Sequence, residues 1–156
     1  MSEKYARIDA IDRLIIAALQ TDGSLSQREV AERVGLSQNA CWRRIKLLQE
    51  GGVLKTPRAM VDAAAVGLDL TVFLLIKTRN HSMGWSDAFR KHVEQIPQIT
   101  DFYRIGGEWD YLLKIVTRGM AGYDAVYRRL ITGFELDTVT GNFAMETLFS
   151  DRPLAV

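Results

Sequence analysis

The sequence has little cysteine, histidine or proline, and these absences exclude several classes of protein. It holds one cysteine, two histidines and three prolines in 156 residues. A single cysteine cannot form an intramolecular disulfide or a thiolate-rich zinc site, and two histidines leave little for metal binding or acid–base catalysis. Few prolines and no low-complexity run argue against intrinsic disorder. We therefore expect a folded protein of a reducing compartment, without a structural metal.

Long apolar runs and catalytic motifs are also missing. The longest apolar stretches, such as residues 72–76, are far too short to cross a bilayer, and the polar N-terminus lacks the apolar core of a signal peptide. No Ser/His/Asp set, no phosphate-cradling glycine loop that opens a helix and no paired-carboxylate active site occurs. The sequence therefore predicts a cytoplasmic protein that is not an enzyme, with no catalytic residue, cofactor, metal or membrane partner.

Positive charge is concentrated in one short segment. The whole chain carries a formal net charge of only +1. Residues 37–58 hold five Lys/Arg against one Glu, which is a net charge of +4. A local positive field favours nucleic-acid binding more than a high pI of the whole chain does.

Residues 9–52 predict three short helices. Asp9 is a candidate cap for the first, whose apolar side comprises Ile11, Leu14, Ile15, Ala18 and Leu19. A capping box at 26–29 begins the second helix and Gly35 ends it. Ser37 caps the third, which the glycines at 51–52 end, and residues 53–55 then resemble a short strand or wing. Two capped helices joined by a tight glycine turn are the helix-turn-helix signature.

The third helix is the strongest functional signal. Cys41, Ile45 and Leu48 form its inner stripe, so we expect Cys41 to be a small buried hydrophobe; a redox sensor is the alternative. Polar side chains occupy its other faces, and a helix-turn-helix presents such residues to base edges and phosphates. The candidate DNA-binding residues are Ser26, Gln27, Ser37, Gln38, Asn39, Arg43, Arg44, Lys46, Lys55 and Arg58. The alternative is a small helical domain with a solvated basic face.

The second half changes to a pattern of strands and helices in the order β-α-β-β-α-β. The predicted strands are 69–79, 99–105, 110–117 and 138–149, and this order is that of a ferredoxin-like split unit. The predicted fold class is α+β: an N-terminal winged helix-turn-helix followed by a ferredoxin-like βαββαβ domain. We expect the DNA-binding domain at 1–55, a linker at 56–68 and an effector-binding and oligomerisation domain at 69–156.

The turn between the middle two strands is the second candidate site. Gly106 and Gly107 allow a tight turn with free backbone N–H groups, and Glu108 and Asp110 add carboxylates on either side of Trp109. Free N–H groups suit a carboxylate and the acidic side chains suit an ammonium group, so the turn has the parts needed to bind a zwitterion. A plain hairpin turn explains the same residues equally well.

The strands around this turn predict self-association. Residues 71–78 and 111–116 carry apolar side chains at nearly every position, so both faces of the sheet require burial. Two helices cover only one face of a four-stranded sheet. We therefore expect a dimer as the smallest folded species, because a second subunit would cover the other face. A dimer in turn implies a two-fold DNA operator.

The chain resembles regulators of the Lrp/AsnC (feast/famine) family over about residues 8–150. The resemblance is carried by IDAIDRLIIAALQTDG at 8–23, SQREVAERVGLSQNACWRRIKLLQEGGVL at 26–54, VGL at 66–68 and GGEWDYLLKIV at 106–116. LTVFLLIKTRNHS at 70–82, DYLLKIV at 110–116 and FAME at 143–146 look closest to the cysteine-responsive DecR-type branch.

The resemblance implies more than the residues alone predict. It implies dimerisation through the sheets, tetramers or octamers built from dimers, and an amino acid bound between dimers. By motif, the third helix would be the recognition helix, and residues 106–110 would line the effector cleft with Thr138 and Thr140 of a neighbouring subunit. Cysteine is the first effector expected on this ground, with leucine or methionine next.

Two functions of different classes fit the sequence. The first is a sequence-specific DNA-binding regulator whose assembly or DNA affinity responds to a small L-amino acid. The alternative is a regulatory subunit or small-molecule-binding protein without DNA readout, because a ferredoxin-like fold serves many functions. The +4 segment and the absence of a catalytic set favour the first.

Overall fold

The computed structural model of this chain describes residues 8–156. Their contacts divide the chain into two compact units: one runs to Ala59 and includes Phe149–Val156, and the other is Met60–Leu148. The expected domain bounds of 1–55 and 69–156 stay a prediction. The C-terminal residues group with the helical unit, which the order of the sequence does not suggest.

The first unit contains α1 (Ala10–Thr21), α2 (Gln27–Val34) and α3 (Gln38–Glu50). Asp9 and Ser26 cap α1 and α2, as predicted, because a side-chain acceptor satisfies an otherwise unpaired backbone N–H. Both form capping boxes, which was predicted only for Ser26. Gly35 ends α2 with φ of +68°, a conformation that costs glycine little, and α3 begins three residues later. Cys41 is fully buried in the core, as expected of a small hydrophobe.

Two predictions for this unit are wrong. Leu14 was expected on the inner side of α1, but its side chain is 52% exposed, and Ile16 is buried in its place. The side of α1 that packs against the other two helices is centred on Ile15 and Ile16. It therefore includes Ile15 of the predicted stripe but excludes Leu14. Residues 53–55 form no strand; Val53 and Leu54 instead donate backbone hydrogen bonds to the Leu48 carbonyl and close the end of α3.

The second unit has the predicted βαββαβ order. It begins with a 3-10 turn at Ala64–Val66 where a linker was expected, followed by β1 (Leu70–Lys77), α4 (Met83–Glu94), β2 (Ile99–Arg104), β3 (Tyr111–Thr117), α5 (Gly119–Ile131) and β4 (Thr138–Phe143). The last strand was predicted to reach residue 149 but ends at Phe143. Val72 pairs with Phe143, and one further hydrogen bond runs from the Ala144 amide to the Thr71 carbonyl. Since β1 begins at Leu70, it offers no partners for residues up to 149.

The four strands form one antiparallel sheet in the order β2-β3-β1-β4. One face is covered by α4 and α5, and its side chains are fully or almost fully buried; on the two central strands they are Val72, Leu74, Ile76, Tyr111, Leu113 and Ile115. The opposite face has no covering element within this unit. Its members include Phe73, Leu75, Leu112 and Val116, which alternate with the buried set.

No helix among the described residues is long and apolar enough to cross a membrane.

Candidate functional sites

The outer side of α3 presents the predicted polar residues to solvent. Gln38, Asn39, Arg43 and Lys46 are all exposed, while Cys41, Ile45 and Leu48 are buried on the inner side. Ser37 is also exposed, and its Oγ accepts a hydrogen bond from the Ala40 amide at 3.3 Å as the cap of the helix. The arrangement is that of a recognition helix, with one face docked and the other free for a groove.

Ser26 and Gln27 lie at the start of α2. The Ser26 amide and hydroxyl both donate to Glu29 Oε2 at 2.7 Å, and the Ser26 Oγ accepts from the Glu29 amide. These bonds hold the pKa of Glu29 below its usual value. The Ser26 side chain is therefore occupied in capping. Gln27 is exposed on the first turn, where backbone N–H groups point out of a helix and suit a phosphate.

Arg44 occupies a different position from the other candidates. Its Nη1 donates to Asp9 Oδ2 at 2.7 Å and to Asp12 Oδ1 at 2.8 Å, which joins α3 to the first turn of α1. A backbone hydrogen bond from Asp12 and the Arg44 guanidinium hold the pKa of Asp9 below its usual value. Arg44 is thus better explained as an ion pair between helices than as the free DNA contact expected from its position in the basic segment.

The remaining basic candidates differ in how firmly they are held. Lys46 Nζ lies 5.1 Å from the centroid of the Trp42 ring and 3.9 Å from a Glu50 oxygen, so its ammonium is loosely positioned along the exposed side of α3. Lys55 and Arg58 are exposed in the irregular segment after α3, and neither has an ion-pair partner within residues 8–156.

The turn at 106–110 is anchored to β1 through Asp110. The Asp110 amide donates to the Ile76 carbonyl at 2.9 Å, and its Oδ2 accepts from the Thr78 amide at 2.8 Å. Its Oδ1 lies 3.7 Å from His81 Nδ1. One carboxylate oxygen therefore fixes the turn, and the other faces the segment that follows β1.

The rest of the turn is open. Gly107 has φ of +110°, a conformation in which a side chain would be strained, and the amides of Gly106 and Gly107 meet no acceptor in the described part of the chain. Glu108 is exposed, with Lys77 Nζ 4.0 Å from its Oε1, and the same ammonium lies 5.7 Å from the centroid of Trp109. The turn thus offers unpaired N–H groups and a solvent-facing carboxylate.

Thr138 and Thr140 are exposed on β4, where they pair in register with Lys77 and Leu75. Lys77 contacts the turn on its other side, so Thr138 and residues 108–109 of one chain lie at the same end of the sheet. Thr140 lies two residues further from that end. The expectation that these threonines come from a neighbouring subunit stays a prediction.

A cleft beside the turn contains residues that sequence reasoning missed. It measures about 770 Å³ and is lined by Arg79, Asn80, His81, Trp85, Gly133, Glu135, Leu136 and Asp137. Arg79 Nε donates to Asp137 Oδ1 at 2.6 Å across it, and His81 connects the cleft to Asp110. The one available signal was the polar run at 79–81 directly after a buried strand. No cluster of three potential metal-ligating side chains occurs among residues 8–156.

Comparison with known proteins gives one family model for each unit, although the second model also includes residues 149–154, which by their contacts group with the helices. Residues 8–55 match a winged helix-turn-helix DNA-binding model, and residues 71–154 match the Lrp/AsnC ligand binding domain. The DNA-binding transcriptional activator DecR of Escherichia coli (strain K12) is 41% identical over 142 residues, which are 90% of this chain and 93% of the relative. The glutamate uptake regulatory protein of Zymomonas mobilis is 39% identical, with 91% and 87% covered.

Solved structures agree with this result. The crystal structure of an AsnC family transcriptional regulator from Agrobacterium tumefaciens has a TM-score of 0.87 at 40% identity and covers 91% of this chain and 93% of its own. A transcriptional regulator of Neisseria meningitidis in complex with L-methionine has a TM-score of 0.86 at 26% identity, with 94% and 96% covered.

Proposed function

Since this chain belongs to the Lrp/AsnC family of DNA-binding transcriptional regulators, we propose that it binds a two-fold operator as a homo-oligomer and responds to a small L-amino acid. The observation that carries the DNA-binding part is the exposed polar side of α3 on a capped helix-turn-helix. The same match weighs against a regulatory subunit without DNA readout. A protein that regulates transcription acts where the DNA is, which supports a cytoplasmic location.

The geometry of α3 and the segment after it supports two kinds of DNA contact, to base edges and to phosphates. Asn39 and Arg43 lie on the solvent side of its first two turns, where an amide suits adenine and a guanidinium suits guanine in the major groove. Lys55 and Arg58 supply positive charge with no ion-pair partner within residues 8–156, and Lys46 has a long contact of 3.9 Å with Glu50, so all three suit phosphates. Arg44 orients the helix rather than touching DNA.

Salt dependence of binding tests the DNA-binding part. We expect the affinity for random duplex DNA to fall steeply as the salt concentration rises from about 50 to 200 mM, because phosphate contacts release counterions. Operator DNA should retain an affinity at least about a thousandfold above random duplex. Equal affinity for both at every salt concentration would leave only a non-specific basic surface.

The turn at 106–110 supports an amino-acid site for the head group. The two glycine amides suit the carboxylate, and Glu108 and the free oxygen of Asp110 suit the ammonium, since charge-assisted hydrogen bonds are the strong ones. The adjoining cleft, with Trp85 and Leu136 in its lining, offers room for a side chain. For the ligand to regulate, it must prefer one assembly or DNA-bound state over another.

The choice of amino acid rests on the relatives. Cysteine is the first choice because of the resemblance to the cysteine-responsive branch, and the similarity to DecR supports that branch. The methionine complex of the Neisseria protein supports a small apolar or sulfur-containing side chain more broadly. Leucine follows on the same ground. A thermal-shift screen of the twenty amino acids tests this, because a ligand that binds only the folded protein raises its melting temperature.

Self-association is supported by the uncovered face of the sheet. Phe73, Leu75, Leu112 and Val116 lie together there, opposite the face that α4 and α5 cover. Burial of this surface by a second subunit gives a dimer, and tetramers or octamers of such dimers complete the assembly expected of the family.

A further inference from the structure

The last eight residues of the chain do not belong to the unit that precedes them. The chain enters the ligand-binding unit at Met60 and leaves it at Leu148, and Phe149–Val156 then group with the helices of the DNA-binding unit. The two units are therefore connected twice by the polypeptide, once through the segment after α3 and once through its C-terminal end.

The Gln20 side chain of α1 forms two hydrogen bonds with this C-terminal segment. The Leu154 amide donates to Gln20 Oε1 at 2.7 Å, and Gln20 Nε2 donates to the Leu154 carbonyl at 3.1 Å. The primary amide thus satisfies both backbone groups of one residue, in the way that a neighbouring strand would. Because one bond is donated by the segment and the other is accepted by it, the pair fixes both the position and the orientation of the Leu154 backbone.

The backbone of the segment is shaped for this contact. Asp151 has φ of +54°, the left-handed region that aspartate tolerates better than most residues, and it bends the chain back. Pro153 locks its own φ and restricts Arg152 to extended conformations. The Arg152 guanidinium lies 4.5 Å from the centroid of the Phe149 ring. These restraints reduce the entropy that the segment loses when it docks.

The contact is nevertheless weak. Leu154 is 74% exposed and Phe149 is 68% exposed, so little apolar surface is buried with the two hydrogen bonds. Contacts of this kind open at small free energies and are the ones that proteins use in elements that switch. A segment that is ordered in the folded protein but released at a small cost in free energy is suited to link a change in one unit to a change in the other.

We propose that residues 149–156 form a strap that connects the end of the ligand-binding unit to α1 of the DNA-binding unit and carries part of the effector response to it. The coupling to the effector rests on the proposed function, whereas the docking of the strap on α1 is independent of it. Gln20 is a positioning residue, since it touches neither the DNA-binding side of α3 nor the effector turn.

Hydrogen exchange in the full-length protein tests the docking. Gln20→Ala removes both bonds, and Gln20→Glu keeps an acceptor for the Leu154 amide but loses the donor to its carbonyl. We expect the Leu154 amide to exchange about fivefold to tenfold faster in Gln20→Ala, with an intermediate change in Gln20→Glu. Gln98→Ala, an exposed glutamine of the other unit, is the matched control and should leave the rate unchanged. Equal rates in all four proteins would overturn the strap.

DNA binding with and without amino acid tests the coupling. L-Cysteine, L-methionine and L-leucine are the probes, and the measured quantity is the ratio of operator dissociation constants with and without each. We expect Gln20→Ala, and a chain that ends at residue 148, to reduce the largest wild-type ratio by at least about threefold, with calorimetric ligand affinity within about twofold of wild type. An unreduced ratio in both variants would overturn the coupling. A wild type that responds to no amino acid contradicts the proposed function instead, and the exchange result then decides the strap alone.

Discussion

Arg43 is the residue on which sequence readout is expected to depend most. It is exposed on the second turn of α3 and has no ion-pair partner within residues 8–156, unlike Arg44. We expect Arg43→Ala to cost about 1–3 kcal/mol at the cognate operator and to relax specificity there. Lys55→Ala and Arg58→Ala should weaken binding to all sequences and flatten the salt slope. Gel-shift titrations with operator and random DNA distinguish a loss of specificity from a general loss of affinity. Unchanged operator affinity of Arg43→Ala would refute base readout by Arg43.

The ion pairs of Arg44 predict an acid-dependent contribution to stability. Asp9 has a pKa below its usual value of 3.8 in the folded protein, so its stabilising effect is fully present above 3.8 and is lost as the pH falls from there through the lower pKa of the folded protein. We expect wild type to lose stability between about pH 5 and pH 2, and Arg44→Ala to lose less over the same range because part of the shift is already absent. Denaturant titrations at several pH values measure this, with Arg13→Ala on the exposed side of α1 as control. Parallel pH profiles for wild type and Arg44→Ala would contradict it.

Asp110 has one observed role, in anchoring the turn, and one proposed role, in binding an ammonium group, and two variants distinguish them. Its Oδ2 anchors the turn to the Thr78 amide, and its charge is available to an ammonium group. Asp110→Asn keeps an acceptor for Thr78 and removes the charge, whereas Asp110→Ala removes both. We expect both to abolish the effect of the amino acid on assembly and to leave ligand-free DNA binding largely intact, with the turn loosened only in Asp110→Ala. Undiminished calorimetric binding of cysteine, leucine or methionine to Asp110→Asn would exclude a charge role for Asp110.

At the scale of elements, two glycines in helices have opposite surroundings. A Cβ at Gly122 in α5 would collide with the Thr117 hydroxyl, whereas a Cβ at Gly84 in α4 would meet open space. We expect Gly122→Ala to destabilise the protein by about 1–3 kcal/mol through overpacking, and Gly84→Ala to stabilise it by about 0.5–1 kcal/mol through helix propensity. Chemical denaturation measures both. Thr117→Ala should partly rescue Gly122→Ala, and a neutral Gly122→Ala would mean that Thr117 rotates away at no cost.

The elements predictable from sequence are those with local signals. The caps at Asp9 and Ser26 and the stop at Gly35 depend on side chains a few residues apart, so the pattern alone predicts them. The buried side of α1 depends on where two other helices pack, and Leu14 was placed wrongly for that reason. That the last strand does not reach residue 149 likewise depends on how far its partner β1 extends, and β1 lies about seventy residues away in the chain.

The candidate sites divide in the same way. The exposed side of α3 follows from helical spacing, and the turn at 106–110 follows from its glycines. The ion pair between Arg44 and the start of α1 and the cleft around His81 bring together residues from different elements. Their sequence spacing contains no period that would reveal them, so only the fold does.

At the scale of the whole molecule, the uncovered face of the sheet is expected to set the oligomeric state. Leu75 lies on this face between Phe73 and Lys77 on the central strand β1. We expect Leu75→Glu to shift the dimer toward monomer at micromolar concentration, because a buried unpaired carboxylate at an interface costs several kcal/mol. Light scattering measures the mass, and Lys91→Glu on the exposed side of α4 is the control. An unchanged mass for Leu75→Glu, or a stable monomer of wild type, would contradict dimerisation through this face.

The return of the C-terminal residues to α1 has a consequence for chimaeric regulators. A crossover in the segment after α3 is the obvious place to exchange DNA-binding domains between relatives, because it lies between the last helix of the first unit and the first strand of the second. Such a chimaera would keep Leu154 of one parent and receive the α1 of another, so Leu154 and the residue that binds it would come from different parents. A hybrid designed as a double exchange, with the last eight residues moved together with the helices, keeps the two parts of this contact from the same parent.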